Sequence, residues 1–529
     1  MDKLKLDGVG ASSWAVASAV VVGGALAWAV LPDAKQHALR HLPAPASTLP
    51  VLGNSLDLAL YQTHRAHDWI AEQCALHGWK PWRLQILGSA PMVVLSSHEH
   101  FEDVLKTQFE VWDKGPEMKF VFNDVFGDSI IAVDGEQWKF QRKKLSHLFT
   151  MRSYRETITT SIHKYIRVLG TVLDDAMLHP ATPFNLGEAC HQMSFDIFAE
   201  VGFGLQTNAL ATRDNNPFVV SLGTLSETLE SRFQQPNFIW RFKRFFNIGS
   251  ERRMKECLAV MHGAMNDIIL RNLTRRNDPT AATRPTKDVI SLFMDEMDLD
   301  NATEDDFKLL RDIAFSIIGA GKDSTATTLM WTIIMLNRSP DVEHKLRDEL
   351  REALPKLFSD KSYVPSMDDV DQLPFVEAVV KETLRLCPIV PLNAKEANRD
   401  TTLSDGTFIK KGTRAYVPTY TLGRNPNVWG QDATKFKPER WIEVDELTGK
   451  QKLIVVPATK FASFHAGPRI CPGMRVGMFE LKAALAYIVS KYHLQTLRRA
   501  EDFTYAVSAV LSVKGPLMVS VEHARARSY

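Results

Sequence analysis

Phe464-His465-Ala466-Gly467-Pro468-Arg469-Ile470-Cys471-Pro472-Gly473 lies near the end of a chain of 529 residues. It packs five constrained positions, Phe464, Gly467, Arg469, Cys471 and Gly473, into ten residues, a combination that chance seldom produces. The two glycines let the backbone fold tightly around one sulfur. A helical pattern begins at about Arg475, so the sulfur precedes a helix N-terminus, whose amides and dipole favour a thiolate. A buried structural cysteine is the alternative reading of a lone Cys.

A thiolate is a strong ligand for haem iron, and Arg469 can pair with a haem carboxylate. The pattern F-x-x-G-x-R-x-C-x-G resembles the haem-binding signature of the cytochromes P-450, the haem-thiolate monooxygenases. Further signatures follow the family's order over nearly the whole body. Glu382-Thr-Leu-Arg385 matches ExxR, whose i, i+3 spacing lets carboxylate and guanidinium pair on one helix face. Phe436-Lys-Pro-Glu-Arg440-Trp441 resembles the segment that adds a second arginine. Trp138-Lys-Phe-Gln-Arg142 matches WxxxR. The resemblance implies haem b with Cys471 as its axial metal ligand. It also implies haem contacts from Arg469, Phe464, Gly467, Trp138 and Arg142, and a structural set of Glu382, Arg385 and Arg440 behind the cysteine loop.

The stretch from Asp305 to Arg338 reads as the longest helix and contains Gly319-Ala320-Gly321-Lys322-Asp323-Ser324-Thr325. Two glycines in an apolar helix cost about 1 kcal/mol each relative to Ala, and hydroxyls near such a weak point can bond back to the helix or hold a water. A kinked packing helix is the plainer reading. The resemblance implies a groove for dioxygen over the haem, with Asp323 as the acid and Ser324 in place of the usual Thr, relaying protons as general acid catalysis requires. Thr325 is expected to share that role.

Two stretches resemble the fatty-acid ω-hydroxylase branch of plants and yeasts: residues 114–138, with Asn123-Asp-Val-Phe-Gly127-Asp128, and residues 415–430, with Ala415-Tyr-Val-Pro-Thr-Tyr420 and Trp429-Gly430. A long-chain substrate requires an apolar channel with one distant polar anchor. The resemblance places Phe120, Phe122, Val125 and Phe126 in its first contact loop, Ile318 and Ala320 on the long helix, Val390 and Leu392 after ExxR, and Ala509, Val510 and Leu511 in a terminal hairpin. Ordinary core packing is the alternative for each. Animal fatty-acid hydroxylases often carry a helix Glu that esterifies the haem. The matching position is Ala320, so no such crosslink is expected.

Composition agrees with a globular body, with 45% hydrophobic and 24% charged residues. Lys and Arg number 63 against 62 Asp and Glu, so net charge offers nothing for nucleic acid. Five scattered cysteines, Cys74, Cys190, Cys257, Cys387 and Cys471, exclude a disulfide scaffold and suit a reducing compartment. Gly8 to Pro32 is uncharged and long enough to span a bilayer. A cleaved signal is the alternative, with Ala25-Leu26-Ala27 as its site, but signal cores run only about 7–15 residues. Lys3 and Lys5 before the segment balance Lys35 and Arg40 after it, so charge leaves its orientation open.

The expected architecture is mainly α with a smaller β region (α+β), the cytochrome P-450 fold preceded by one N-terminal transmembrane helix. Residues 1–32 form the membrane anchor, 33–53 a proline-rich hinge and 54–529 the haem-thiolate monooxygenase domain. The expected activity inserts one oxygen atom from O2 into a C–H bond of a lipophilic substrate, by ω-hydroxylation of fatty acids. An alkane, sterol or terpenoid hydroxylase is the nearest alternative. A hydroperoxide isomerase or dehydratase, and a non-catalytic haem protein, both conflict with the Asp323-Ser324 pair. Only 58 residues follow Cys471, too few for a fused flavin domain, so electrons come from a separate NADPH–cytochrome reductase. Arg142-Lys143-Lys144 is either part of its docking patch or a solvated helix face. The expected location is the endoplasmic reticulum membrane, single-pass, with a cytosolic catalytic domain; Asn272 and Asn301 then stay unglycosylated.

Overall fold

The computed structural model describes residues 38–90, 92–150, 152–212, 217–235, 237–276, 290, 293–294, 303–447 and 449–524. The expected anchor over 1–32 and Asn301 lie outside them, as does the Asn272 side chain. Among the described residues no helix is long and apolar enough to cross a membrane.

Twelve principal helices build the body: α1 (Ala66–Leu76), α2 (Gly115–Phe126), α3 (Gly135–Thr150), α4 (Arg152–Leu178), α5 (Leu186–Phe203), α6 (Pro217–Gln234), α7 (Asn237–Phe246), α8 (Gly249–Arg276), α9 (Glu304–Arg338), α10 (Pro340–Ala353), α11 (Pro374–Leu386) and α12 (Met474–Lys491). Strands β1 (Trp82–Leu84), β2 (Met92–Val94), β3 (Trp112–Asp113), β4 (Phe184–Asn185), β5 (Asn393–Ala397), β6 (Thr401–Thr402), β7 (Phe408–Ile409), β8 (Arg414–Val417), β9 (Ile442–Val444), β10 (Gln451–Leu453), β11 (Tyr492–Thr496) and β12 (Met518–His523) complete it. The main sheet runs β1-β2-β8-β5-β3, with β2 and β8 parallel and the other neighbours antiparallel. A smaller sheet, β11-β12-β4, brings the chain end back to the start of α5. The helical majority with a smaller β region agrees with the sequence reading.

Helix α9 is the axis of the helical layer. Thr303 and Asp306 form a reciprocal capping box at its start, and every residue from Thr325 to Leu336 is buried. The glycines near its middle have a packing reason. A side chain at Gly321 would run into the Phe198 ring of α5, and one at Gly319 would lie 3.1 Å from the Phe126 ring of α2. The helix continues unbroken through both, so their low helix propensity is exchanged for close aromatic contact. The turn after α2 is pinned to the same helix: Asp128 N donates to Asp312 Oδ2 at 3.0 Å, and Lys308 bridges both carboxylates.

The stretch expected to act as a hinge is, over its described residues 38–53, docked on the body. Leu39 and Leu42 join the core with Val93, Leu95 and Phe101. Pro43 O accepts from Arg83 N at 2.9 Å. Prolines remove donors here, and the remaining backbone bonds are mostly local turns, such as Leu42 N to Leu39 O and Thr48 N to Pro45 O, each at 3.0 Å.

Behind the cysteine loop, Glu382 is fully buried and accepts five hydrogen bonds. Arg385 donates two, at 2.7 and 2.8 Å, Arg440 one at 2.9 Å, Trp441 Nε1 one at 2.9 Å and Lys437 N one at 2.8 Å. Glu382→Gln keeps the volume but leaves Arg385 without its charge partner and Arg440 with Asp432 alone. Removing one member of a buried ion pair costs about 3–5 kcal/mol, so the denaturant midpoint is expected to fall sharply; an unchanged midpoint would contradict this role.

His67 is buried between Tyr420 and Tyr505, and its Nε2 has no partner. Burial pushes its pKa down to about 4, against the pull of Asp68 and with the push of Arg424. The value in the fold lies below the ordinary 6.5, so its contribution is complete above pH 6.5 and is lost as pH falls towards 4. His67→Phe is expected to flatten stability against pH across that window, read from unfolding midpoints at each pH.

Candidate functional site

The cysteine loop is shaped by backbone contacts before any side chain acts. Cys471 N donates to Phe464 O at 2.8 Å and closes it. Gly467 takes φ +62°, and a side chain there would collide with the Leu105 carbonyl. His465 also lies in the left-handed region, at φ +64°, held by its N–H to Ala462 O at 2.8 Å. Ser463 Oγ reaches back to Leu384 O at 2.8 Å, tying the loop to α11 and its Glu382–Arg385 pair.

Cys471 is exposed, with protein atoms close around its sulfur. Burial pushes its thiol pKa up, while the N–H groups of Gly473 and Met474 and the Arg142 guanidinium favour the thiolate. The loop thus offers one accessible sulfur with anion-stabilising groups on its own side.

The wall beside the loop is cationic. Arg469 is buried over the Trp138 ring, 4.5 Å from its centre, and pairs with Asp134. It also donates to Val133 O at 3.1 Å, while its Nε has no partner. Lys395 on β5 is buried, and burial with the Arg469 charge pushes its pKa down to about 7. Lys114 is pushed well below its ordinary value by burial, Arg469 and Lys395. Their repulsion, added to burial, holds His465 neutral, near 3. Among the described residues, Asp134 and Asp113 oppose this crowd of positive charge. Desolvated cations and an orphaned guanidinium N–H fit a ligand carrying two carboxylates beside the sulfur, so the residues present suit a haem.

Apolar segments approach α9 from α2 and from the 508–511 turn. Ala320 is exposed and Ser324 half-buried, one turn apart on a helix that is otherwise mostly buried. Ser324 Oγ donates to Ala320 O at 2.7 Å. Phe126 lies against Gly319, with Val125 and Ile318 buried nearby in the same core. Leu511 N donates to Ile389 O at 2.9 Å and its carbonyl accepts from Trp331 Nε1 at 2.7 Å, which sets residues 388–392 beside the 508–511 turn. Within these segments Leu511 is buried, Leu392, Ala509 and Val510 are half-buried and Val390 is exposed.

Other expected residues stand elsewhere. Phe120 is on the outer side of α2, 38% exposed, stacked on Trp240 of α7 under Arg241 and Arg244. Phe122 packs against Phe126 and Phe233. Asp323 pairs with Lys322 at 2.5 Å and lies 3.4 Å from His191 of α5. Burial opposes its charge, but His191 and Lys322 hold the carboxyl well below the usual range. Thr325 is turned into the helix interface, bonded to Gly321 O at 3.0 Å and Ser194 Oγ at 2.8 Å, so the hydroxyl on the accessible face is that of Ser324. Of the Arg142-Lys143-Lys144 run, Arg142 is half-buried towards Cys471 and Lys143 is exposed.

The family model described as Cytochrome P450 matches residues 43–521. This chain is a cytochrome P450. Cytochrome P450 94A1 of Vicia sativa is 28% identical, over 84% of this chain and 83% of its own length. Cytochrome P450 CYP94D108 of Paris polyphylla is 30% identical over 89% and 92%, and cytochrome P450 704B1 of Arabidopsis thaliana 30% over 90% and 94%. The cytochrome P450 family carries haem b on an axial cysteine thiolate, and its members are monooxygenases that use O2, a redox-partner reductase and lipophilic substrates.

Sequence reasoning missed Lys395, Asp134, His191 and Glu480 as parts of this P450 site. A lysine inside the strand pattern of residues 393–397 and a glutamate on the otherwise apolar face after Cys471 were the available signals. Gly467→Ala would force both strain and a clash with Leu105. The expected result is loss of most of the 450-nm-type carbon monoxide difference band from purified protein; a full band would show that the loop can move aside.

Proposed function

We propose that this P450 is a membrane-anchored fatty-acid ω-hydroxylase whose axial ligand is Cys471. The observation that carries the reading is the presence of both an exposed Cys471 after the constrained loop and an accessible Ala320–Ser324 face on α9. The resemblance of residues 114–138 and 415–430 to the ω-hydroxylase branch supports the substrate class, and the uncharged run from Gly8 to Pro32 supports the anchor.

In this reading the domains are the anchor at 1–32, a linking segment at 33–53 and the catalytic body from 54, cytosolic on the endoplasmic reticulum membrane. Arg469, Trp138, Arg142, Lys114 and Lys395 hold the haem carboxylates, and Phe464 and Gly467 shape the thiolate loop. When bound, the haem supplies the redox chemistry that activates O2. Phe126, Val125, Ile318, Leu392, Val510 and Leu511 exclude water and direct an alkyl chain along α9. Ser324 holds a proton at its Oγ on the accessible face. Asp323, ionised between Lys322 and His191, is the charged station behind it. An NADPH–cytochrome reductase supplies the electrons, docking on the cysteine side with Lys143 in its footprint.

Microsomes holding the protein and a reductase, fed medium- and long-chain fatty acids with NADPH, are expected to yield terminal hydroxy acids. Ser324→Ala should lower product per NADPH about a hundredfold, the lower end of a proton-transfer contribution. Protein with an intact carbon monoxide band but no hydroxy acids would move the substrate class to another lipid.

A further inference from the structure

Helix α12, which follows the cysteine loop, carries Glu480 into the contact between α5 and α9. Its side chain is 1% exposed, with Ser194 of α5 and Thr325 of α9 also buried. Ser194 Oγ lies 2.8 Å from Glu480 Oε1, Ser194 Oγ 2.8 Å from Thr325 Oγ1, and Thr325 Oγ1 3.0 Å from Gly321 O. Glu480 Oε2 is buried without a partner. No other residue of this P450 joins the thiolate-side helix to the helix bearing Ser324 by such a continuous line of hydrogen bonds among the described residues.

We propose that Glu480 is a positioning residue for oxygen activation, acting through Ser194 and Thr325 on the Gly321 carbonyl and so on the hydrogen bond made by Ser324. The inference rests on the role given above to Ser324. Each hydroxyl has a single proton to donate. With Glu480 ionised, Ser194 donates to the carboxylate and Thr325 donates to Ser194 or to the carboxylate itself. The Gly321 carbonyl then receives nothing from Thr325. With Glu480 neutral, its proton belongs on Oε1, because Oε2 faces no acceptor. Glu480 then donates to Ser194, Ser194 to Thr325, and Thr325 to Gly321 O. Ser324 Oγ has two acceptors within reach, Ala320 O at 2.7 Å and Gly321 O at 3.4 Å. Thr325 therefore competes for one of them in one state and leaves it open in the other.

Both states are accessible near neutral pH. Burial pushes the carboxyl up to about 7, against the pull of the Ser194 and Thr325 hydroxyls. From α5 the other titratable neighbour is Cys190, whose thiol is pushed up to about 12 by burial and by Glu480 itself. From α9 only Thr325 acts on the carboxyl, and Lys482 of α12 is turned to Asp371 and Glu377, 2.9 Å from each. No described cation neutralises Glu480, so the direction of the hydroxyl chain is set by its own proton.

The test uses haem-loaded full-length protein, with folding checked by the carbon monoxide band. Infrared titration should show a protonated-carboxyl band that disappears near neutral pH, is missing in Glu480→Gln and is shifted in Ser194→Ala. With reductase and NADPH, the share of electrons released as hydrogen peroxide should change with pH in the wild type, by about two- to tenfold, the net worth of one hydrogen bond. It should be flat in Glu480→Gln, whose amide donates to Ser194 at every pH, and flat in Ser194→Ala. A wild-type pH profile in either variant, or a carboxyl band that does not titrate, would overturn the proposal. Peroxide release is read whatever the substrate, and Ser324→Ala, run alongside, tests the proton role separately. Should Glu480→Gln fail to fold, Ser194→Ala and the wild-type infrared titration still decide.

Discussion

A fully buried carboxylate, Glu382, is the constraint on which the site depends. Removing a charge from water costs several kcal/mol unless its lone pairs are satisfied. Here two guanidinium groups, an indole N–H and a backbone amide supply five bonds. Two bonds come from α11 itself and three from residues 437–441, so satisfying Glu382 fixes α11 against that segment. Arg385 extends the constraint through the carbonyls of Gly423, Ala433 and Lys435, and Ser463 passes it to the cysteine loop. The position of a reactive sulfur is thus determined by the electrostatics of a pair it never touches.

Helix α9 meets two opposed demands. It must be long and buried to hold the α layer together, yet keep one face open. The chain resolves this by reducing side-chain volume where aromatic rings approach. Gly319 admits Phe126 and Gly321 admits Phe198, while Ala320 and Ser324 leave the remaining face uncovered. The hydroxyls then turn back on helix carbonyls, which satisfies them without water.

The fold class was legible because its signals are local. The long helix ending at Arg338 and the helix after Gly473 each depend on near neighbours in sequence. Cys471, Glu382 and Arg385 were legible because their spacing is short and chemically specific. What escaped was formed by distant pairs. Lys395 and Arg469 are 74 residues apart, and nothing in the strand around Lys395 says that Trp138 and Arg469 lie beside it. Phe120 reads like its neighbours Phe122 and Phe126, but helical rotation puts it on another face, where Trp240 and two arginines claim it. Thr325 follows Ser324 directly, and the 100° step of a helix is enough to move its hydroxyl from the accessible face into the interface with α5.

Charge on the two sides of the sulfur is arranged in opposite senses. The carboxylate-binding wall holds Lys114, Lys395 and Arg469 together at a cost visible in their lowered proton affinities. Mutual repulsion among buried cations is tolerable only where an anionic partner offsets it. Behind the sulfur, α12 carries Glu480 with no cation near it, so its proton stays within a chain of neutral hydroxyls. The thiolate at Cys471 lies between these regions, stabilised by helix N–H groups and Arg142 rather than by a lysine or histidine that could protonate it. The sulfur is thus held between opposed influences, burial favouring the thiol and the N–H groups with Arg142 favouring the thiolate.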